Sequence, residues 1–217
     1  MQTYHAPSKS GIMPAMRLRS LPSLAAALVV IAAIILASGT ASAKPKKKYH
    51  FQLVEVTAAA AVPEAMKADV TKAVQAQVEK QLGSHAQIVA TLDGAPDPGA
   101  DPKAFKKYLT RKRIAGAYRV NVEVTEMVEE EEPVDSKPGE LRLVTRISLR
   151  MFGETIPDRK MAFSGDGSAA IKTEVGKKVR PNDRKFGLDS AAETAVAEAL
   201  AMSLTKLALP PPKPSKK

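Results

Sequence analysis

The sequence predicts an α/β (α+β) domain of two layers: a mixed sheet of about five strands, helices mainly on one face, in the order β-α-β-α-β-β-β-α. Three observations predict it. A β-rich segment, Tyr49–Thr57, is joined to a second short strand by a helical stripe, and a helical crossover favours a parallel pair. Three alternating segments between Tyr118 and Ile171 predict an antiparallel meander with one dry and one wet face. An amphipathic helix closes the order. With 44% hydrophobic residues in 217, the composition is that of a globular chain.

The elements follow in order. Tyr49–Thr57 is rich in β-branched and aromatic residues and reads as the first strand. Pro63 opens a helix in which Met66, Val70, Val74, Val78 and Leu82 form one stripe, and Gly83 is its expected stop. Ala86–Leu92 reads as the second strand. A Pro/Gly loop from Asp93 ends at Asp101, the expected N-cap of a short helix over residues 102–114 with Pro102 at its first position. That helix buries Phe105, Tyr108 and Leu109 and is expected to end at Gly116. Tyr118, Val120, Val122 and Val124 alternate with polar residues, as do Leu141 to Met151; the acidic stretch Glu129–Gly139 between them reads as a loop. After a turn over Gly153–Asp158, Lys160–Ile171 is the last strand. Residues 172–188 read as a basic loop, and Ser190 with Glu193 as the capping box of a helix whose stripe is Ala192, Val196, Leu200 and Leu204.

Residues 1–43 carry three basic and no acidic residues, an apolar run from Leu24 to Ala37, and the small-residue end Ala41-Ser42-Ala43. These are the parts of a secretory signal peptide, starting at Met1, Met13 or Met16. The run is shorter than the roughly 20 residues of a membrane span, so cleavage after Ala43 is expected; an uncleaved, membrane-anchored adaptor is the alternative. Residues 44–48 then form a basic tail, 49–208 a single domain, and 209–217 a Pro/Lys-rich tail. The net charge of +10 belongs largely to the ends. Between the two lysine-rich tails the body holds 23 residues of each sign, which argues against nucleic acid as a partner. The absence of cysteine excludes disulfides, thiolate zinc sites, a cysteine nucleophile and a lipoprotein acylation site.

Ala115-Gly116-Ala117-Tyr118 leads into the third strand, with Leu141–Phe152 and Lys160–Ile171 as a following hairpin. This arrangement resembles the small α/β periplasmic domains of the Gram-negative envelope: the curli-secretion channel's periplasmic domain, the penicillin-binding-protein activator lipoproteins and the TolB N-terminal domain. Those families show a Gly-Ala-Asp-Tyr segment at that place; here Ala117 and Tyr118 adjoin without the Asp. The resemblance implies a non-catalytic envelope adaptor.

Two groups of residues are candidate binding sites. On the wet face of the meander, Arg119, Asn121 and Glu123 are expected beside Arg142, Arg146 and Arg150. Guanidinium forks of this kind recognise carboxylates and phosphates, while cross-strand Arg–Glu pairing is the plainer use of the same residues. The short helix carries Lys103, Lys106, Lys107, Arg111, Lys112 and Arg113, with no acid between Asp101 and Glu123; the acidic run Glu123–Glu132 is a possible complement within or between molecules. Asp93, Asp97 and Asp101 lack the spacing of a calcium loop, and neither a metal nor a cofactor is expected. His50 and His85 read as polar surface at strand ends. No Walker loop, G-x-S-x-G or G-x-G-x-x-G occurs, and Ser164-Gly-Asp-Gly-Ser168 lies in a predicted strand rather than before a helix. The expectation is an exported, non-catalytic binding or assembly protein of the bacterial envelope whose partner is an envelope protein or an anionic glycan or lipid, with membrane contact only through the tails or an uncleaved leader. A hydrolase using Glu154, Asp158 and Asp166 is the enzymatic alternative.

Overall fold

The computed structural model describes residues 47–211. The expected signal peptide, and the tail residues 44–46 and 212–217, lie outside the described residues. The elements are β1 (Lys48–Ala58), α1 (Glu64–Ser84), β2 (Ile88–Val89), α2 (Pro102–Arg111), β3 (Ile114–Pro133), β4 (Leu141–Thr155), β5 (Met161–Gly176) and α3 (Pro181–Lys206). They form one mixed sheet in the order β2-β1-β3-β4-β5. β1 runs parallel to both β2 and β3, and β3, β4 and β5 make the antiparallel meander.

The inner face of the sheet is covered by α1 and α3. Val70, Val74, Val78 and Leu82 of α1 meet Val120, Val122 and Val124 of β3, Ile147, Leu149 and Met151 of β4, and Val196, Leu200 and Leu204 of α3 in one cluster. Phe51 stacks on Phe163 with ring centroids 5.3 Å apart, and Tyr118 meets both edge-on. The Phe163 ring lies directly over Gly153 on β4, where any Cβ would fall within 2.1 Å of it. α2 lies elsewhere. Side chains alternate along a strand, so Ala117 faces away from Tyr118, and it is Ala117 that packs with Phe105, Tyr108 and Leu109. The short helix therefore covers the outer face at the start of β3.

Several boundaries differ from those read in the sequence, each for a local reason. The strand expected over Ala86–Leu92 pairs only at Ile88 and Val89, because the chain leaves β1 there for the Asp93 loop. α1 runs one residue past Gly83 and ends on His85. α2 stops at Arg111, and the turn is made by Arg113 in a left-handed conformation (φ 58) rather than by Gly116. Gly116 lies inside β3, where the Tyr118 hydroxyl occupies the space of a side chain. β3 continues to Pro133, so the acidic stretch is strand up to that residue, and only 134–140 form the hairpin loop. β5 likewise continues to Gly176, and α3 begins at Pro181, which leaves 177–180 of the expected basic loop. The backbone N–H of Arg180 donates to the Asp183 carboxylate at 2.9 Å, and that contact starts α3; Ser190 and Glu193 fall inside the helix.

His50 and His85 are buried fasteners rather than polar surface. His50 Nδ1–H donates to Val89 O at 2.8 Å and ties β1 to β2. His85 Nδ1 accepts from Gln87 N while its Nε2–H donates to Pro210 O at 3.1 Å, holding the segment after α3 against the end of α1. Leu209 is buried beside it, so the packed chain reaches past residue 208.

Candidate functional site

The outer sheet face is a ladder of ion pairs. A bulge between Val124 and Glu126 keeps the alternation in step, so Arg119, Asn121 and Glu123 share this face with Glu126, Glu130 and Glu132. On β4, Arg142, Arg146 and Arg150 stand on the same face, as do Asp166, Lys172 and Glu174 on β5. Arg150 Nε reaches Asp166 at 3.0 Å and lies opposite Glu123; Arg146 reaches Glu130 at 2.8 Å; Arg142 is 3.9 Å from Glu174 and opposite Glu132. Lys172 meets Glu132 at 3.7 Å, and Lys137 meets Glu174 at 2.7 Å, holding that carboxyl below its usual range. Donation of the Arg150 Nε–H to the Asp166 carboxylate raises the guanidinium above its ordinary pKa. Each β4 arginine is thus engaged by a carboxylate, and the four arginines do not form one patch: Arg119 stands at the far end, opposite Glu154 on one side and Gln52 on the other.

The acidic run is also engaged within the fold. Arg184 of α3 pairs with Glu129 and, at 2.8 Å, with Glu131, so the run complements β4, β5 and α3 rather than the basic helix.

α2 presents the contrasting surface. Phe105, Tyr108 and Leu109 pack against Ile114, Ala117 and Ile156. Asp101 accepts from Ala104 N at 2.8 Å as N-cap, and the Tyr108 hydroxyl donates to Asp93 O at 2.8 Å. This anchoring turns the basic residues outward. Arg111 and Lys112 flank the Tyr108 ring at 5.6 and 5.8 Å. Lys106 reaches Asp158 at 3.6 Å and links the helix to the β4–β5 turn. Lys103, Lys107, Arg111, Lys112, Arg113 and Arg119 have no carboxylate within ion-pair distance among the described residues, in contrast to the arginines of β4.

Two concavities accompany these surfaces. A groove of about 630 Å³ runs between the first half of α1 and the start of α3, lined by Met66, Ala73, Met127, Glu129, Arg184 and Leu188 among others. A smaller cleft of about 440 Å³ lies beside α2 on the outer face, lined by Gln52, Asp97, Arg119, Thr155 and Arg159 among others. Arg159 and Gln52 were not legible as site residues: one lies in a turn and the other in a strand, and only the fold puts them beside Arg119. Glu154, Asp158 and Asp166 share no cleft. Asp158 pairs with Lys106 and Asp166 with Arg150 on an open face. Ser164–Ser168 is mid-strand, its glycines pressed against α3. Ser203 and Lys206 have the S-x-x-K spacing of some acyl-transfer enzymes, but Ser203 is fully buried against Gly165 and faces neither concavity. Among the described residues no three His, Asp or Glu side chains gather as metal ligands would, and no helix is long and apolar enough to cross a membrane.

No family model matches the chain, and no curated protein does. Solved structures are similar to it over part of its length. A Xanthomonas campestris protein of the DUF330 family is 11% identical, with 76% of this chain and 88% of that chain covered and a TM-score of 0.41. A minor lipoprotein from Acinetobacter baumannii is 12% identical over 78% of this chain and 100% of its own, with a TM-score of 0.37. A lipoprotein from Neisseria meningitidis is 13% identical over 65% and 94%, with a TM-score of 0.35. The comparison corrects the family resemblance read from the third strand and its hairpin: the likeness is to these small lipoproteins and the DUF330 protein, not specifically to the curli-channel, penicillin-binding-protein activator and TolB domains.

Proposed function

We propose that the chain is an exported, non-catalytic binding protein of the bacterial envelope that docks on an anionic envelope surface through α2 and its surroundings. One observation carries this reading. The charged residues of the meander's outer face are largely matched within the fold, whereas Lys103, Lys107, Arg111, Lys112 and Arg113 project from a short, well-anchored helix and the turn after it without carboxylate partners among the described residues. The leader-like composition of residues 1–43 supports export, and the lysines of both tails add charge of the same sign. Near an anionic membrane surface each lysine or arginine contributes about 1 kcal/mol, so five of them suffice for reversible docking. The test is cosedimentation of the protein, lacking residues 1–43, with vesicles containing anionic lipid and with purely zwitterionic vesicles. Binding to the anionic vesicles that weakens with salt and is lost on replacing those five residues by glutamine supports the reading. Equal binding to both vesicles, or binding indifferent to the five substitutions, defeats it.

A further inference from the structure

The cleft beside α2 has a floor and two walls built by separate parts of the chain. Its floor is the outer face where Gln52 of β1 and Arg119 of β3 are register partners. One wall is the loop Asp97-Pro98-Gly99, and the other is the β4–β5 turn from Thr155 to Arg159. The turn is fixed at both ends: Thr155 N donates to Lys160 O and Arg159 N to Thr155 O, both at 2.8 Å, and Lys160 N donates to Thr155 Oγ1 at 3.1 Å. Ile156 N also donates to Ala117 O at 2.9 Å, which anchors the turn to β3 two residues before Arg119.

Arg119 and Arg159 both line this cleft, and neither has a carboxylate within ion-pair distance among the described residues. The acid that lines it, Asp97, already accepts the backbone N–H of Gly99 at 2.8 Å. Arg159 holds a left-handed backbone, φ 51, which glycine or asparagine would adopt at lower cost. What the position gains from arginine is the side chain, not the turn.

We propose that Arg119 and Arg159 form a subsite for a phosphate group, a monoester carried by the anionic molecule on which α2 docks. This rests on the reading of α2 as an anion-binding surface and adds a specific chemistry to it. A carboxylate has two oxygens and is filled by one guanidinium fork. A phosphate monoester presents three free oxygens and up to two charges, which two forks can share. Gln52, which lines the same cleft, supplies a further donor in its amide.

The test uses the protein without residues 1–43 and follows the arginine Nε–H resonances by NMR during titration with inorganic phosphate, glycerol phosphate and acetate. The expected result is saturable movement of the Arg119 and Arg159 signals with both phosphates, and acetate weaker by about tenfold or more. Arg119→Gln and Arg159→Gln each weaken phosphate by about tenfold, while the five-residue α2 variant changes it by no more than about twofold. Because each single variant is read separately, one that fails to fold leaves the other decisive. Phosphate that moves neither signal, acetate that binds as well as phosphate, or unchanged affinity in either folded variant overturns the subsite. The vesicle experiment is independent: vesicle binding that survives both single variants while phosphate binding does not exist removes the subsite and keeps the surface. Phosphate binding in a protein that ignores vesicles keeps the subsite and removes the surface.

Discussion

The carboxylate of Glu198 on α3 accepts the backbone N–H of Ser168 at 2.8 Å. Ser168 lies in the middle of β5, the outermost strand of the meander, directly opposite Ser148 of β4. In an antiparallel ladder, outward-pointing backbone groups recur at every second residue, so Asp166, Ala170 and Lys172 also present their N–H groups away from the sheet. An open strand edge is a template for further strands, and Glu198 places a charge at its midpoint. Replacing Glu198 with alanine is expected to cost at most about 1 kcal/mol in stability and to make the protein self-associate as its concentration rises. Sedimentation velocity over a concentration series is the check; a variant that stays monomeric throughout shows that the edge is guarded by something else.

Gly165 and Gly167 let α3 approach β5 backbone to backbone. A Cβ at Gly167 would stand 2.0 Å from Ala195 O, and one at Gly165 would stand 2.3 Å from Ala199 O. Neither atom belongs to a side chain that could turn aside. Gly167→Ala is therefore expected to lower the unfolding free energy by about 2–3 kcal/mol through overpacking. Gly83→Ala provides the opposite sign: it is helical, exposed and has nothing within 4 Å of the added carbon, so a gain of about 0.5 kcal/mol is expected. Urea denaturation of both variants measures the pair.

His50 makes stability depend on pH. Burial disfavours the charged imidazole and lowers its pKa below the ordinary 6.5, and the bond to Val89 O offsets this only in part. Between the folded value and 6.5 the unfolded chain binds more protons, so stability rises with pH through that window. The contribution is complete above about 6.5 and is lost as pH falls below it. Asparagine at position 50 removes the titration and can keep a donor near Val89 O. The urea midpoint should then change less between about pH 7 and pH 5 in His50→Asn than in the parent.

Arg146 and Arg150 are exposed partners in exposed pairs, and Arg142 is half-buried beside an exposed Glu174. Such pairs contribute between about 0 and 1 kcal/mol each. The triple alanine variant is expected to fold, to lose no more than about 2 kcal/mol, and to keep saturable, salt-sensitive binding to anionic vesicles. Loss of binding in this folded variant would return the site to the sheet face.

Arg184 is a different case, because its partner Glu129 has only 7% of its side chain exposed. Arg184→Ala leaves a largely buried carboxylate without its cation, for an expected loss of about 2 kcal/mol. Adding Glu129→Gln should recover most of that loss. Thermal unfolding of the single and double variants tests whether the pair acts as a unit.

The stripe of α1 and the alternation of Tyr118 to Val124 were legible because packing on one face imposes a period that the sequence records directly. The acidic half of β3 was not. Four consecutive glutamates carry no period, and what makes them a strand is supplied from elsewhere: the β4 ladder, Arg146, Lys172 and Arg184. The start of α3 was hidden for a related reason. Lys177 to Arg180 resemble a solvated loop, while Ser190 and Glu193 mimic a cap that the actual start, Pro181 with Asp183, makes redundant. Of the candidate site residues, the basic face of α2 was readable from its own spacing. The cleft was not, because Gln52, Arg119 and Arg159 come from three segments joined only by β1–β3 pairing and the turn after β4.

Where Gly167 meets Ala195 and Ala199, no side chain lies between helix and strand. Elsewhere in the core a lost methyl group can be answered by a neighbour that grows or turns. Here no neighbour exists to answer. A saturation library should therefore divide sharply, with the sheet's charged outer face accepting most substitutions while these positions accept almost none, and the few survivors at Gly167 should need a second change that shifts α3 bodily along β5.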